Sequence, residues 1–201
     1  MPTCSTQTCF AEYIVNSQNG TQAAFIDLKS ALDVAKGNII LEQLVEFGIK
    51  GNLRSWKKSY LSNKRASVLF KEVKSTRTDA FELGTPQGGV LRPMLFNILM
   101  HKLIHDIPVQ PTETVICYAD DICIMAHSKP RLQMLLDAFP KKVVECGFII
   151  SVDKTRVLIP YSLHANYTIN EVPVENCESY KYLGVEVNDS NLISNLRKKT
   201  C

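Results

Sequence analysis

The chain has 201 residues, 45% of them hydrophobic, which suits one globular domain with a sizeable core. Its 23 Lys and Arg residues slightly outnumber its 20 Asp and Glu residues, and this balance permits a nucleic-acid partner without requiring one. No apolar run approaches the roughly 20 residues of a membrane helix, and the N-terminus lacks the pattern of a signal peptide. We therefore expect a soluble, intracellular protein without a membrane partner, in the nucleus or the cytoplasm.

The seven cysteines follow no metal-binding pattern. None of them forms a Cys-x-x-Cys pair, so the sequence disfavours a zinc finger or zinc ribbon. Several lie inside apolar segments. We therefore expect buried free thiols in a reducing compartment.

The first half of the chain predicts a strand, two helices and a second strand, in that order. The segment AAFIDL at 23–28 is short and apolar, which is typical of a buried strand. Apolar positions recur at helical spacing over 40–47, where Gly48 provides a stop signal. A second, basic helix is predicted over 53–61, and ASVLFKEV at 66–73 predicts a strand.

The second half predicts a turn, a helix, a hairpin, another helix and further strands. Gly and Pro residues at 84–89 indicate the turn, and the helix that follows has Pro93 in its first turn. A helix over 130–146 contains Pro140, which is expected to kink it or cost ~3 kcal/mol. Strand-like segments then lie at 148–152, 155–159, 167–169 and 180–187. Interleaved strands and helices indicate an α/β or α+β class.

Three aspartates stand out because each lies at the end of a predicted strand. Asp27 ends the first strand, and Asp120 and Asp121 occupy the turn of the hairpin VICYADDICIMA. If the two strands are neighbours, three carboxylates converge, and such a group needs cations to neutralise it. Oxygen ligands suit Mg²⁺, and a pair of such ions is a known device for phosphoryl transfer. An Asp pair in an exposed turn that binds its own backbone is the simpler alternative.

Five segments occur in the order of the palm motifs of reverse transcriptases. They resemble most closely those of jockey-like, non-LTR retrotransposons, and the resemblance runs from about residue 5 to 190. A group II intron-type or other cellular reverse transcriptase is a further alternative. The segments are FIDLKSALDV (25–34), LGTPQGGVLRP (83–93), CYADD (117–121), CGFIISVDKT (146–155) and YKYLGV (180–185).

The resemblance implies a catalytic site with two Mg²⁺ ions, for which Mn²⁺ can substitute. Asp27, Asp120 and Asp121 match the family's catalytic, metal-holding aspartates. The backbone carbonyl of Leu28 would be an added ligand. Tyr118 would pack near the primer terminus.

The resemblance also implies how an RNA template, a DNA primer and a dNTP would be bound. Gln87 matches the Gln beside the incoming nucleotide and the template, and Gly88 lets the backbone approach them. Lys154 matches a Lys that assists the leaving pyrophosphate. Leu32 replaces the usual aromatic that selects deoxynucleotides, so the choice between dNTP and rNTP stays open. The primer grip would comprise Tyr182, Leu183 and Gly184.

These matches predict an α+β palm, a small antiparallel sheet covered by helices, with fingers and thumb largely absent. The expected divisions are a remnant of the fingers at 1–22, the palm at 23–187 and the truncated start of a thumb at 188–201. The expected function is RNA-directed DNA polymerase activity, weak or absent in this transposon-derived fragment alone. The alternative is an inactive remnant with at most weak nucleic-acid binding.

Overall fold

A computed structural model provides the structure of the chain. It describes residues 5–17, 20–29, 31, 36–61, 64–67, 69–71, 73–74, 79–81, 90–105, 107–160 and 165–188. Of the predicted site residues, Leu32, Gln87 and Gly88 lie outside these ranges, so their roles stay predictions.

The described residues form helices and strands in a mixed order, as the sequence predicts. The helices are α1 (Thr6–Asn16), α2 (Gly37–Glu46), α3 (Gly51–Leu61), α4 (Arg92–His105) and α5 (Lys129–Glu145). The strands of the first half are β1 (Gln22–Ile26), β2 (Lys64–Ala66), β3 (Leu69–Phe70), β4 (Val73–Lys74) and β5 (Asp79–Phe81). Those of the second half are β6 (Thr114–Tyr118), β7 (Asp121–Ala126), β8 (Arg156–Leu158), β9 (Tyr167–Ile169), β10 (Val172–Cys177), β11 (Ser179–Tyr182) and β12 (Val185–Asn188).

The chain divides into two compact units. The first comprises Met1–Lys29, Ile104–Glu145 and Ile149–Cys201, and the second comprises Ser30–Leu103 and Cys146–Phe148. All three predicted catalytic aspartates belong to the first unit.

The first unit is built on a six-stranded sheet with the order β6-β7-β1-β8-β10-β9. Strand β1 pairs antiparallel with β7 on one side and β8 on the other. The β8–β10 pair is the parallel one, so the sheet is mixed. A second antiparallel ladder joins β11 to β12. The predicted α+β class is therefore confirmed.

Two layers of buried side chains cover the faces of this sheet. Because side chains alternate along a strand, Phe25 of β1 and its partner Cys123 of β7 share one face. On that face they form a cluster with Tyr13 of α1 and with Tyr182 of β11. Buried side chains of this kind each contribute about 1.5–3 kcal/mol to folding. Helix α5 packs against β7, β1 and β9 and buries Leu132, Leu135, Leu136, Phe139 and Val143.

Helix α5 is continuous through Pro140, so the proline does not end the helix. The helix spans Lys129–Glu145, and Pro140 is buried within it. Proline cannot donate the hydrogen bond to the preceding turn. Burial of Phe139 and Val143 on either side offsets that loss, since each side chain leaves water when the helix packs.

The second unit contains helices α2 and α3 and most of α4. Helices α2 and α3 pack together, and Gly37 allows this because a Cβ atom there would lie 3.3 Å from the Cβ of Leu61. In α4, Phe96 meets Phe148 edge to face, with ring centroids 6.0 Å apart. Leu95, Leu99 and Leu103 lie buried along one face of α4.

Several predicted boundaries were wrong. The strand expected over 66–73 is interrupted at Lys71, which has a φ of +46° between β3 and β4. The strand expected over 148–152 is a single bridge at Ile150. The segment 180–187 turns back on itself at Leu183 and Gly184 to form two strands. Helix α1, which the sequence analysis did not predict, begins with the side chain of Ser5 accepting a hydrogen bond from the Thr8 N–H.

The cysteines match their expected state in part. Cys117, Cys123, Cys146 and Cys177 are thiols that form no disulfide, as predicted, whereas Cys9 is disulfide-bonded, which corrects the expectation for that residue.

Among the described helices, none is long and apolar enough to cross a membrane.

Candidate active site

The hairpin between β6 and β7 places two carboxylates at one end of the sheet. Tyr118 pairs with Asp121, which leaves Ala119 and Asp120 as a two-residue turn. Ala119 has a φ of +52°, a region that a residue with a Cβ atom seldom adopts. A positive φ at the first turn residue matches the twist of paired strands, so the hairpin stabilises this strained conformation.

The antiparallel pairing of β1 with β7 brings the third carboxylate to the same end. Ile26 is paired with Ile122, so the next position along each strand brings Asp27 beside Asp121. Side-chain alternation also puts Asp27 on the face of Phe25, and Asp121 on the face of Cys123. Two of the three predicted catalytic aspartates therefore extend one buried face of the sheet, and Asp120 lies in the adjoining turn.

The charges of these carboxylates act on one another. Desolvation raises the pKa of Asp121, and the nearby charges of Asp120 and Asp27 raise it further. Burial raises the pKa of Cys117 to about 12, with smaller contributions from the charges of Asp120 and Asp121, so its thiol stays protonated at neutral pH. Negative charge is thus concentrated at this end of the sheet, where a divalent cation would relieve the repulsion.

A turn over 151–155 holds the backbone around Asp27. The Ser151 N–H donates to the Asp27 carbonyl at 2.8 Å, and the Asp27 N–H donates to Thr155 Oγ1 at 3.4 Å. The turn also carries Lys154, whose Nζ lies 3.9 Å from Asp27 Oδ2. The Lys154 side chain is 73% exposed, so this contact is a weak, solvent-screened ion pair.

Leu28 follows Asp27 and is buried, paired with Ile150 in an isolated antiparallel bridge. Two backbone hydrogen bonds flank this bridge. The Asp27 carbonyl accepts from the Ser151 N–H, and the Lys29 N–H donates to the Ile149 carbonyl, each at 2.8 Å. The role of the Leu28 carbonyl as a metal ligand stays a prediction.

Tyrosine rings flank the carboxylates. Tyr118 is half-buried and shares the face of its partner Asp121. Tyr180 of β11 stacks on Phe25, with ring centroids 4.1 Å apart and planes 9° from parallel. Burial raises the pKa of Tyr180, and the charges of Asp121 and Asp27 raise it further. Tyr180 was not among the predicted site residues, although its alternation with Tyr182 in one strand was a usable signal.

The hairpin predicted to grip the primer packs over the same face. Tyr182 is buried, and its ring centroid lies 5.2 Å from that of Phe25 and 5.5 Å from that of Tyr13. Leu183 and Gly184 form the turn, both with positive φ, as the common two-residue hairpin turn requires. The hairpin is thus anchored by Tyr182, and its turn is open to solvent at Gly184.

The donor set suits Mg²⁺ in its chemistry, because three carboxylates supply hard oxygen ligands. Within the described ranges, however, no group of three or more Asp, Glu, His or Cys side chains is placed so as to hold a metal ion. Asp27, Asp120 and Asp121 are therefore close enough to repel one another, while their oxygens do not form a ligand shell.

Comparison with known proteins identifies the family. The model of the reverse transcriptase (RNA-dependent DNA polymerase) family matches residues 1–187. A putative 115 kDa protein in the type-1 retrotransposable element R1DM of Drosophila melanogaster is 27% identical over 87% of this chain and 18% of its own length. An RNA-directed DNA polymerase from the mobile element jockey of Drosophila funebris is 30% identical over 64% of this chain and 15% of its own length.

Solved structures show the same fold at low identity. An apo telomerase from Candida tropicalis superposes with a TM-score of 0.66 at 12% identity, covering 94% of this chain and 37% of that one. A telomerase from the same organism, in complex with a fragment of telomeric RNA, gives 0.62 at 15% identity over 90% of this chain and 32% of that one. The chain spans about a fifth of the length of the curated relatives it matches. Its match over residues 1–187, together with relatives from non-LTR retrotransposons, shows that the chain belongs to the reverse transcriptase family.

Proposed function

We propose that the chain is the palm of an RNA-directed DNA polymerase, which adds nucleotides from dNTPs to a primer 3′-hydroxyl on an RNA template. The observation that carries the proposal is the register of β1 against β7, which brings Asp27 beside Asp121. The family generally uses divalent metal ions, and a telomerase of similar fold was solved in complex with RNA. The first fact supports the proposed divalent metal cofactor, and the second supports the proposed RNA template.

In the proposed reaction, Asp27, Asp120 and Asp121 would hold two Mg²⁺ ions. When bound, the ions would supply activation of the primer hydroxyl and charge neutralisation at the leaving pyrophosphate. The Asp side chains contribute position and charge, and the chain provides little covalent chemistry. The ammonium of Lys154, which is mostly exposed and lies beside Asp27, would donate a hydrogen bond to the departing phosphate.

Primer extension tests this proposal. The purified chain would be supplied with a DNA primer on an RNA template, dNTPs and Mg²⁺ or Mn²⁺. We expect extension by the wild type and a loss of about 100-fold or more in a variant carrying Asp120→Asn and Asp121→Asn, since the metal ligands would lose their charge. Asp137→Asn, which removes an exposed carboxylate of α5, should extend like the wild type.

The result also separates the two hypotheses. Extension that persists in the double variant would overturn the assignment of these carboxylates. An absence of extension by the wild type, with retained binding of the primer–template in a filter or anisotropy assay, would favour the non-enzymatic remnant. Repeating the reaction with ribonucleotides then measures the sugar selectivity that Leu32 leaves open.

A further inference from the structure

Thr155 is a fully buried polar residue that contacts a proposed catalytic aspartate through the backbone. Its side chain is 0% exposed, and its hydroxyl donates to the Ser151 carbonyl at 2.9 Å. The same oxygen accepts the Asp27 N–H at 3.4 Å. A hydroxyl has one donor and two acceptor positions, so both hydrogen bonds can exist together.

Asp27 depends on this turn because it lies one residue beyond the end of β1. Its N–H is bound by the Thr155 hydroxyl, and its carbonyl is bound by the Ser151 N–H. The backbone of the first proposed metal ligand is therefore fixed at both polar groups by the turn over 151–155, after the ladder of β1 has ended at Ile26.

The turn over 151–155 also determines the position of Lys154. The N–H groups of Lys154 and Thr155 both donate to the Ser151 carbonyl, at 3.1 and 3.0 Å. The buried Thr155 side chain thus anchors the turn next to its exposed neighbour Lys154, whose Nζ lies 3.9 Å from Asp27 Oδ2. One hydroxyl links the backbone of Asp27 to the segment that presents Lys154.

We propose that Thr155 is a positioning residue for Asp27, and that its hydroxyl sets the orientation in which the Asp27 carboxylate meets a divalent cation. The inference rests on the proposed function for its effect on catalysis. Its structural part, a hydrogen bond from the Asp27 amide to the Thr155 hydroxyl, does not depend on activity. Groups that orient a ligand in this way typically change metal affinity or activity by 10–100-fold when removed.

Thr155→Val isolates this contact because valine keeps the shape of threonine and lacks the hydroxyl. The Ser151 carbonyl retains its bonds from the Lys154 and Thr155 N–H groups, so the Asp27 N–H is the group that loses its partner. We expect primer extension to fall by roughly 10–100-fold and the Mg²⁺ concentration for half-maximal rate to rise. Exchange of the Asp27 amide, measured by NMR, should become roughly tenfold faster, as loss of one hydrogen bond predicts.

Two control variants separate positioning from general stability. Thr155→Ser keeps the hydroxyl and should restore extension, Mg²⁺ dependence and amide protection. Thr168→Val removes a hydroxyl from edge strand β9, where it contacts Gln133 at 3.3 Å, and should leave all three unchanged. Extension rates are compared at a temperature well below the melting temperature of every variant, so that all of them are folded. Under that condition, a change that lowers only the folding stability would leave the Mg²⁺ dependence as in the wild type.

The outcomes distinguish this inference from the proposed function. If the wild type extends no primer, the proposed function fails, and the amide exchange alone decides whether Thr155 holds Asp27. Unchanged exchange of the Asp27 amide in Thr155→Val would overturn the inference even if extension were seen. If Thr155→Val fails to fold, the wild type and Thr155→Ser decide the question. An Asp27 amide that exchanges without protection in the wild type would overturn the inference, and an amide that is protected in both proteins would support it.

Discussion

At the scale of single residues, the candidate site is a concentration of like charge. The pKa of Asp121 is raised by desolvation and by the neighbouring charges of Asp120 and Asp27. An acid whose pKa is raised on folding destabilises the folded state at any pH above that pKa. The free protein therefore carries a small instability at this site, which a bound divalent cation would remove.

Asp121→Asn is accordingly expected to raise the melting temperature of the metal-free protein at pH 7. The gain should be about 1–2 °C, since solvent screening limits the relieved repulsion to a fraction of a kcal/mol. It should disappear below the ordinary pKa of 3.8, where the wild-type carboxyl is also neutral. Thermal melts in EDTA measure this, with the exposed Asp153→Asn as control. A lower melting temperature for Asp121→Asn at pH 7 would contradict the charge-crowding account.

The sequence predicted the three aspartates because each has a local signal, an acidic residue at the end of an apolar run. Their convergence followed from one assumption, that the two strands are neighbours, which the register of β1 and β7 confirms. Thr155 carries no such signal. Its contact with Asp27 joins residues 128 positions apart in the chain, and no periodicity in either segment specifies it.

At the scale of elements, a buried ion pair connects the start of the hairpin to helix α5. Arg131 donates to both carboxylate oxygens of Glu113, whose side chain is 2% exposed. The Gln110 N–H also donates to Glu113, at 2.8 Å. The hydrogen bond from Arg131 is the largest cause that lowers the pKa of Glu113. The loop before β6 is thus fixed to the first turn of α5, beside the strand that ends in the proposed catalytic turn.

Glu113→Gln is expected to lower the melting temperature by about 3–6 °C at pH 7, because it removes the charge from a hydrogen-bonded pair. A depressed pKa means that this stability is present above the ordinary value of 4.5 and is lost as the pH falls through the pKa of the folded state. Measured between pH 3 and 7, the melting temperatures of the wild type and Glu113→Gln should therefore converge at the acid end. Glu145→Gln, which removes the charge from an exposed pair with Lys142, should lower the melting temperature little at any pH. An equal drop in melting temperature for Glu113→Gln and Glu145→Gln would contradict the stabilising role of the Glu113–Arg131 pair.

Whether a segment is a helix or a strand was predictable wherever apolar residues recur with one clear spacing over a long segment, as in α4 and α5. The failures have physical causes. Burial against the sheet keeps α5 continuous despite Pro140, which local propensity cannot anticipate. Turns at Lys71 and Leu183 place side-chain-bearing residues at positive φ, so the sequence there lacks a glycine at the first turn position.

At the scale of the whole molecule, the six-stranded sheet ends in two edges that could pair with other chains. On one side, helix α1 packs against edge strand β6. On the other side, β9 is three residues long and is covered by a side chain. The Gln133 amide donates to the Thr168 carbonyl at 2.9 Å and accepts the Thr168 N–H at 3.1 Å. Its side chain therefore occupies the backbone groups that a further strand would use.

Gln133→Leu is expected to promote self-association, because it keeps the side-chain bulk and frees the Thr168 N–H and carbonyl at an edge next to the half-exposed Val172. Sedimentation equilibrium should show an average mass that rises with concentration over the roughly micromolar to millimolar range, while the wild type remains constant. Asp137→Asn is the matched control, since it changes the other partner of the Gln133 amide, at 2.7 Å, and leaves the Thr168 contacts in place. If Gln133→Leu stays at the wild-type mass throughout, β9 is protected by its shortness alone, and the Gln133 amide serves only to join α5 to the sheet.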